Sequence, residues 1–182
     1  MFSLIASFLL LQAAAQTTPN GFKKGNIVLA DGTVQTGLIK ENLGDASVQF
    51  INEGSQGKKK YASTSINSFQ ADGVQYSVIK NDFFKVITDG GLCFLQKASN
   101  VSGRLAYFGT EAVVLTGTAG ETGDYFFYNK NTSDLQQVNA ANVNQVTQIV
   151  FAGHPDALQK AQSVQNDIPK LSAAVDSFNA GR

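Results

Sequence analysis

The sequence predicts an α+β protein: a curled antiparallel β-meander or roll, partly barrel-like, followed by about three short C-terminal helices packed on it. Three observations carry this. Asp-Gly steps at Asp31-Gly32, Asp72-Gly73 and Asp89-Gly90 each stand between apolar runs. Asp-Gly there signals a hairpin, because glycine takes positive φ without strain and aspartate tolerates it while hydrogen-bonding its own backbone. Past Asp134 the apolar period changes from that of a strand to that of a helix. Runs such as Phe83-Phe84 and residues 92–95 are apolar on both faces, so those strands need a cover on each side, which the helices can supply.

Residues 1–15, MFSLIASFLLLQAAA, carry no charge, run apolar over 5–11 and end in three alanines. That is a signal-peptide core with a small-residue cleavage site, although no Lys or Arg stands near Met1. Cleavage after Ala15 is expected, leaving residues 16–182 as a single mature domain with a β-rich part at 21–138 and a helical tail at 139–180. The run is broken by Gln12 and closed by Thr17, Thr18 and Pro19, short of the ~20 apolar residues that span a bilayer. The expectation is a secreted or periplasmic protein that is not integral to the membrane after signal cleavage.

The organising hairpin is GNIVLADGTVQTGLIK at 25–40. Ile27 and Leu29 alternate with Val28 on its first strand, and Val34, Thr36 and Leu38 face away from Gln35, Gly37 and Ile39 on its second. Gly37 inside a strand suggests a bulge or sharp bend. Residues 47–51 then form a strand with Val48 and Phe50 inward, and a turn over 52–57 returns the chain through 59–62 to Ile66-Asn67-Ser68-Phe69. This opening part is analogous to a small Sm-like or SH3-like sheet, an analogy of fold that carries no function. Hairpins follow at 68–80 and 83–97, a loop at 99–104, short strands at 105–108 and 111–115, and a loop at 117–123.

Asp124-Tyr125-Phe126-Phe127-Tyr128-Asn129 comes next, a strand that sends Tyr125 and Phe127 to one face and Phe126 and Tyr128 to the other. Both pairs read as core with the tyrosine hydroxyls at the rim. Tyr125, Phe127 and Tyr128 are also the candidate ligand-contact aromatics, a stacking platform for a sugar ring. Asn139 can cap a helix over about 140–151 whose stripe is Val143, Val146, Ile149 and Val150. Gly153 ends it, Pro155 starts a second helix bearing Leu158, Ala161 and Val164, and Pro169 restarts the chain before Leu171, Ala174, Val175 and Phe178.

Composition excludes several classes of chemistry. Lys plus Arg and Asp plus Glu are 14 each, so no field steers the protein to nucleic acid or to an acidic membrane. Lys58-Lys59-Lys60 reads as an edge-protecting run rather than an anion site. Cys93 is the only cysteine and His154 the only histidine, so neither a disulfide, a thiolate zinc cluster nor a multi-histidine site can form within the chain. Cys93 reads as a small buried hydrophobe and His154 as part of a helix junction. Asp31, Asp72 and Asp89 are explained by their turns. The oxygen-rich loops 121–124 and 129–134 lack EF-hand spacing, and neither GxxxxGK[ST] nor a helix-opening GxGxxG occurs. The expected catalytic, metal and cofactor assignments are therefore none.

The text KKGNIVLADGTVQTGLIK, then VQFINEGSQGKKKYASTSINSF with its following ADGVQYS, then FFKVITDG and FYNKNTSDLQQVN, resembles the uncharacterised secreted proteins abundant in Bacteroidota, a domain of unknown function. VFAGHPDALQKAQ and IPKLSAAVDSFN are similar to that family's usual Leu-Phe-x-Asp-Cys-Pro and late Tyr-Asn endings, with Gly153-His154 where Asp-Cys often stands and Phe178 where Tyr does. The resemblance implies export and this architecture, and it lends no reaction. The function expected is that of an exported, non-catalytic envelope or extracellular protein, binding or structural, whose partner is an envelope or extracellular component or a glycan. The alternative is a hydrolase of a cell-envelope or extracellular polysaccharide, with carboxylates gathered from separate hairpins.

Overall fold

The computed structural model describes residues 18–55, 57–164 and 167–181, and the expected leader at 1–15 lies outside the described residues. The strands are β1 (Lys23–Leu29), β2 (Val34–Asn42), β3 (Ser47–Asn52), β4 (Lys58–Ala62), β5 (Ile66–Ala71), β6 (Val74–Ile79), β7 (Asp82–Thr88), β8 (Leu92–Lys97), β9 (Leu105–Phe108), β10 (Glu111–Val114), β11 (Tyr125–Asn129) and β12 (Asp134–Val138). Three helices follow: α1 (Val143–Val150), α2 (Pro155–Ser163) and α3 (Ser172–Ala180). Ten strands form one antiparallel sheet in the order β12-β11-β8-β7-β6-β5-β1-β2-β3-β4, and β9 and β10 form a separate hairpin. The fold is α+β with its helices segregated at the C-terminus. The large sheet is not closed into a barrel: its ladder ends at β4 and β12.

The expected turns sit where the Asp-Gly steps put them. Asp31 Oδ1 accepts the Thr33 N–H at 2.8 Å, and Asp72 and Gly73 take φ of 50° and 79°, the paired positive values that match the twist of a two-residue hairpin.

Gly37 plays a different part from the bulge expected of it. The ladder runs in register through Gly37, opposite Gly25 of β1 and Asn52 of β3, and the register shifts fall instead at Val28/Leu29 and Val86/Thr88. The glycine supplies closeness. A Cβ on Gly37 would run into the Ile51 carbonyl and one on Gly25 into that of Gln70. Beside this bare pair, β1 to β7 contribute to one apolar core that includes Ile27, Ile39, Val48, Phe50, Phe69 and Phe83.

The second core lies between the β8 and β11 part of the sheet and the helical tail. Phe94 and Phe127 meet Phe151, Leu171, Val175 and Phe178 there, and each such side chain withdrawn from water contributes about 1.5–3 kcal/mol. On the opposite face of these strands, Phe84, Cys93, Leu95 and Phe126 form a third cluster.

Helix α1 is shorter than the sequence suggests. Asn139 does hold the entry, its Oδ1 accepting the N–H groups of Ala141 and Asn142 at 2.9 and 3.2 Å, while Asn142 Oδ1 accepts the Asn139 N–H at 2.8 Å. These side-chain bonds occupy the backbone in a turn, so the helix begins at Val143. Its stripe is also narrower: Val143 and Val146 are buried but Ile149 is 59 % exposed. At about 100° per residue, a position six residues on lies about 120° around the helix from the first. On α2 the buried positions are Ala157 and Ala161, with Leu158 and Val164 half-buried. On α3 the expected Ala174, Val175 and Phe178 are buried, as is Leu171 just before it. Among the described residues, no helix is long and apolar enough to cross a membrane.

Candidate binding cleft

Strand register builds a cross-strand row on the face of β1 to β4 turned away from the first core. Lys24 of β1 pairs with Leu38 of β2, Leu38 with Ile51 of β3, and Ile51 with Lys58 of β4. Directly paired residues project to one face, and three strand spacings separate the ends of the row by roughly 14 Å. The chain entering β1 turns at 19–22, with the Phe22 N–H bonded to the Pro19 carbonyl at 3.0 Å. This brings Thr18 and Pro19 to the wall of a cleft of about 680 Å³ over the row. Its floor is Leu38, Ile51 and the backbone of Gly25 and Gly37, and Asn52, Glu53 and Ser55 stand at the β3–β4 turn beside it.

Among the described residues, the charged side chains lining this cleft are Lys24, Glu53 and Lys58, and the neighbouring lysines of β1 and β4 are engaged elsewhere. Lys23 is tied to Glu41 at 3.0 Å, a hydrogen bond that raises its pKa, and Lys60 lies 3.8 Å from Asp45. Lys59 Nζ stands 4.6 Å from the centre of the Tyr61 ring. Lys24 and Lys58 have no ion-pair partner among the described residues. Lys58 Nζ lies 5.5 Å from the centre of the Phe22 ring, which helps to hold it over the cleft. All three residues of the lysine run thus lie on the edge strand β4, and Lys58 also lines the cleft.

The aromatics proposed from sequence separate. Phe127 is 2 % exposed beneath the helices, in edge contact with Phe151 at 5.5 Å. Tyr125 stacks on Phe94 at 5.4 Å and lines a smaller cleft of about 340 Å³ with Asp124, Asn139, Asp167 and Pro169. Tyr128 is half-buried on the other face, against the Phe84 cluster.

The acids are not gathered at one place. Asp31 follows β1, whereas the Asp72 N–H bonds to the Lys24 carbonyl at the opposite end of that strand, roughly 20 Å away at strand rise. Asp89 Oδ1 accepts from Lys130 Nζ at 2.6 Å and from the Cys93 thiol at 3.3 Å. The Lys130 hydrogen bond holds the Asp89 carboxyl below its ordinary pKa, and burial raises that of Cys93. His154 lies against Phe178 with ring centres 4.3 Å apart. In the loops considered for calcium, Asp124 Oδ2 accepts from Glu121 N–H and Gln137 Nε2 at 2.7 Å each. Among the described residues no group of three or more His, Cys, Asp or Glu side chains is placed to hold a metal.

Sequence reasoning missed the most polar interior feature. Asp82 and Lys97 form an ion pair at 3.3 Å with both side chains wholly buried. The signal was present, since each is a charge at the end of a strand apolar on both faces, but spacing alone does not reveal that the two meet. Comparison with protein-family models, with curated proteins and with solved structures finds no match to this chain.

Proposed function

We propose that the protein is exported and acts in the envelope or outside the cell as a non-catalytic binding protein whose site is the cleft over β1 to β4. The row Lys24, Leu38, Ile51, Lys58 carries this reading, because it brackets an apolar floor with two ammonium groups that have no ion-pair partner among the described residues. An acidic glycan fits it: the C–H faces of its sugars would lie on Leu38 and Ile51, and its carboxylates would meet the lysines. Hydrolysis of such a chain by the usual pair of carboxylates needs two acids roughly 5–10 Å apart. Glu53 is the one carboxylate among the described residues lining the cleft. Export is supported by the leader-like text at 1–15 and agrees with the resemblance to secreted Bacteroidota proteins.

Calorimetry with oligouronates tests the reading. Binding that weakens with salt, and that falls about tenfold or more in Lys24→Glu and in Lys58→Glu, is expected, without release of new reducing ends. Binding indifferent to both substitutions, or none to any acidic glycan, would sink it. Mass spectrometry of the exported protein should find Gln16 at the N-terminus, and an intact Met1 would remove the export half of the proposal.

A further inference from the structure

The β9–β10 hairpin leaves the ten-stranded sheet after β8, and the chain rejoins it at β11. Its feet are held by the buried ion pair. Asp82 Oδ1 accepts the Val101 N–H at 2.8 Å, and Asp82 Oδ2 accepts the Thr118 N–H and hydroxyl at 2.7 Å each. Lys97 Nζ donates to the carbonyls of Thr118, Ala119 and Gly120 at 2.8, 3.2 and 2.8 Å. The Leu115 N–H closes the base onto the Arg104 carbonyl at 2.7 Å, and the Arg104 guanidinium bonds to the Gly44 carbonyl.

The tip contrasts with this anchorage. Among the described residues, strands β9 and β10 pair only with each other. Leu105, Tyr107, Val113 and Val114 are 58, 70, 40 and 63 % exposed. Register places Leu105 beside Val114 and Tyr107 beside Ala112, so these four share one apolar face. A lone two-stranded hairpin is marginal in water, and each of its outer edges offers unpaired N–H and C=O groups. Where the main sheet ends at β4, three lysines discourage such pairing; β9 has no charge from Leu105 to Phe108.

We propose that this hairpin joins two copies of the chain, β9 pairing antiparallel with β9 of the second copy. A strand that meets itself across a two-fold axis must bring no like charges together. Uncharged β9 satisfies this, and the formal net charge of zero sets no long-range repulsion between copies. Centred on Ala106, the pairing sets that small residue against its own copy. Leu105 then packs against Tyr107 of the second copy, an aliphatic and aromatic pair on the apolar face. The exposed parts of Leu105, Tyr107 and Val114 amount to some hundreds of Å² per copy, so the interface belongs to the small, transient class.

Sedimentation velocity on the full chain over a concentration series tests this. The expected result is a reversible monomer–dimer equilibrium whose midpoint rises about tenfold or more in Tyr107→Lys, with unchanged circular dichroism and melting temperature because the site is exposed. Ala106→Cys should give a covalent dimer on mild oxidation, since self-paired residues lie within disulfide reach. The unsubstituted chain should not, its Cys93 being 2 % exposed. A chain that stays monomeric throughout, a dimer indifferent to Tyr107→Lys, or introduced thiols that do not cross-link would each overturn the proposal.

Discussion

Asp82 Oδ2 and Lys97 Nζ stand 3.3 Å apart at a point where neither side chain reaches water. Such a pair is tolerated because its remaining valences are used: the carboxylate takes bonds from Val101 and Thr118, and the ammonium gives bonds to three successive carbonyls. Removing one partner strands the other, so Asp82→Ala or Lys97→Met should lower stability by about 3–5 kcal/mol in urea unfolding. The double substitution should cost clearly less than the sum of the two, because the charges are coupled.

Gly37→Ala and Gly25→Ala should each destabilise by about 1–3 kcal/mol or more, the range of overpacking. The new methyl meets the Ile51 or the Gln70 carbonyl, backbone atoms that cannot swing aside. Gly44→Ala, where a Cβ meets nothing within 4 Å, is the control and should melt near the parent temperature.

The tail packs its apolar residues against Phe94 and Phe127 of the sheet. Phe178 is 4 % exposed and lies 5.9 Å from the Phe151 ring centre, so Phe178→Ala should cost about 3–5 kcal/mol. Deleting everything after Gly153 removes α2 and α3 from the core they share with Phe94, Phe127 and Phe151 and should give an aggregating or unfolded product by scattering and calorimetry. A truncated chain that melts cooperatively at the full-length temperature would make the tail an independent arm.

Asp89 should titrate below its ordinary value of 3.8, because the Lys130 hydrogen bond favours its ionised form. A carboxyl whose folded pKa is depressed adds stability above the unfolded value and loses it as pH falls through the folded one, so the stabilisation is fully present above about pH 4 and is lost below it. Both side chains are largely exposed, at 70 and 49 %, so solvent screening limits it to ~0.2–1 kcal/mol. Carboxyl NMR should show the depressed midpoint return toward 3.8 in Lys130→Ala.

Local chemistry was legible in the sequence and long-range register was not. The Asp-Gly turns, the inward Val48 and Phe50, and the Pro155 start of α2 follow from rules acting over a few residues, and the structure places them accordingly. The cleft depends on Lys24, Leu38, Ile51 and Lys58 falling in one row. Nothing in their spacing announces this until the length of every intervening turn is known. Ile149 misled because its side chain suits a core while its angle on the helix does not. The Asp82–Lys97 pair joins strands whose apolar text on both faces hides the two charges at their ends.

Strand order also constrains how quickly the chain can reach this state. Of the ladders in the ten-stranded sheet, only β5–β1 and β8–β11 join strands that are not consecutive in sequence. The consecutive hairpins can each zip within about 1–10 μs, so these two closures set the pace of refolding. The β1–β5 closure encloses three other strands, whereas the β8–β11 closure encloses only the self-contained β9–β10 hairpin. Refolding should therefore wait on the meeting of β1 with β5, and substitutions that weaken that seam should slow folding itself, while those under the helices mainly hasten unfolding.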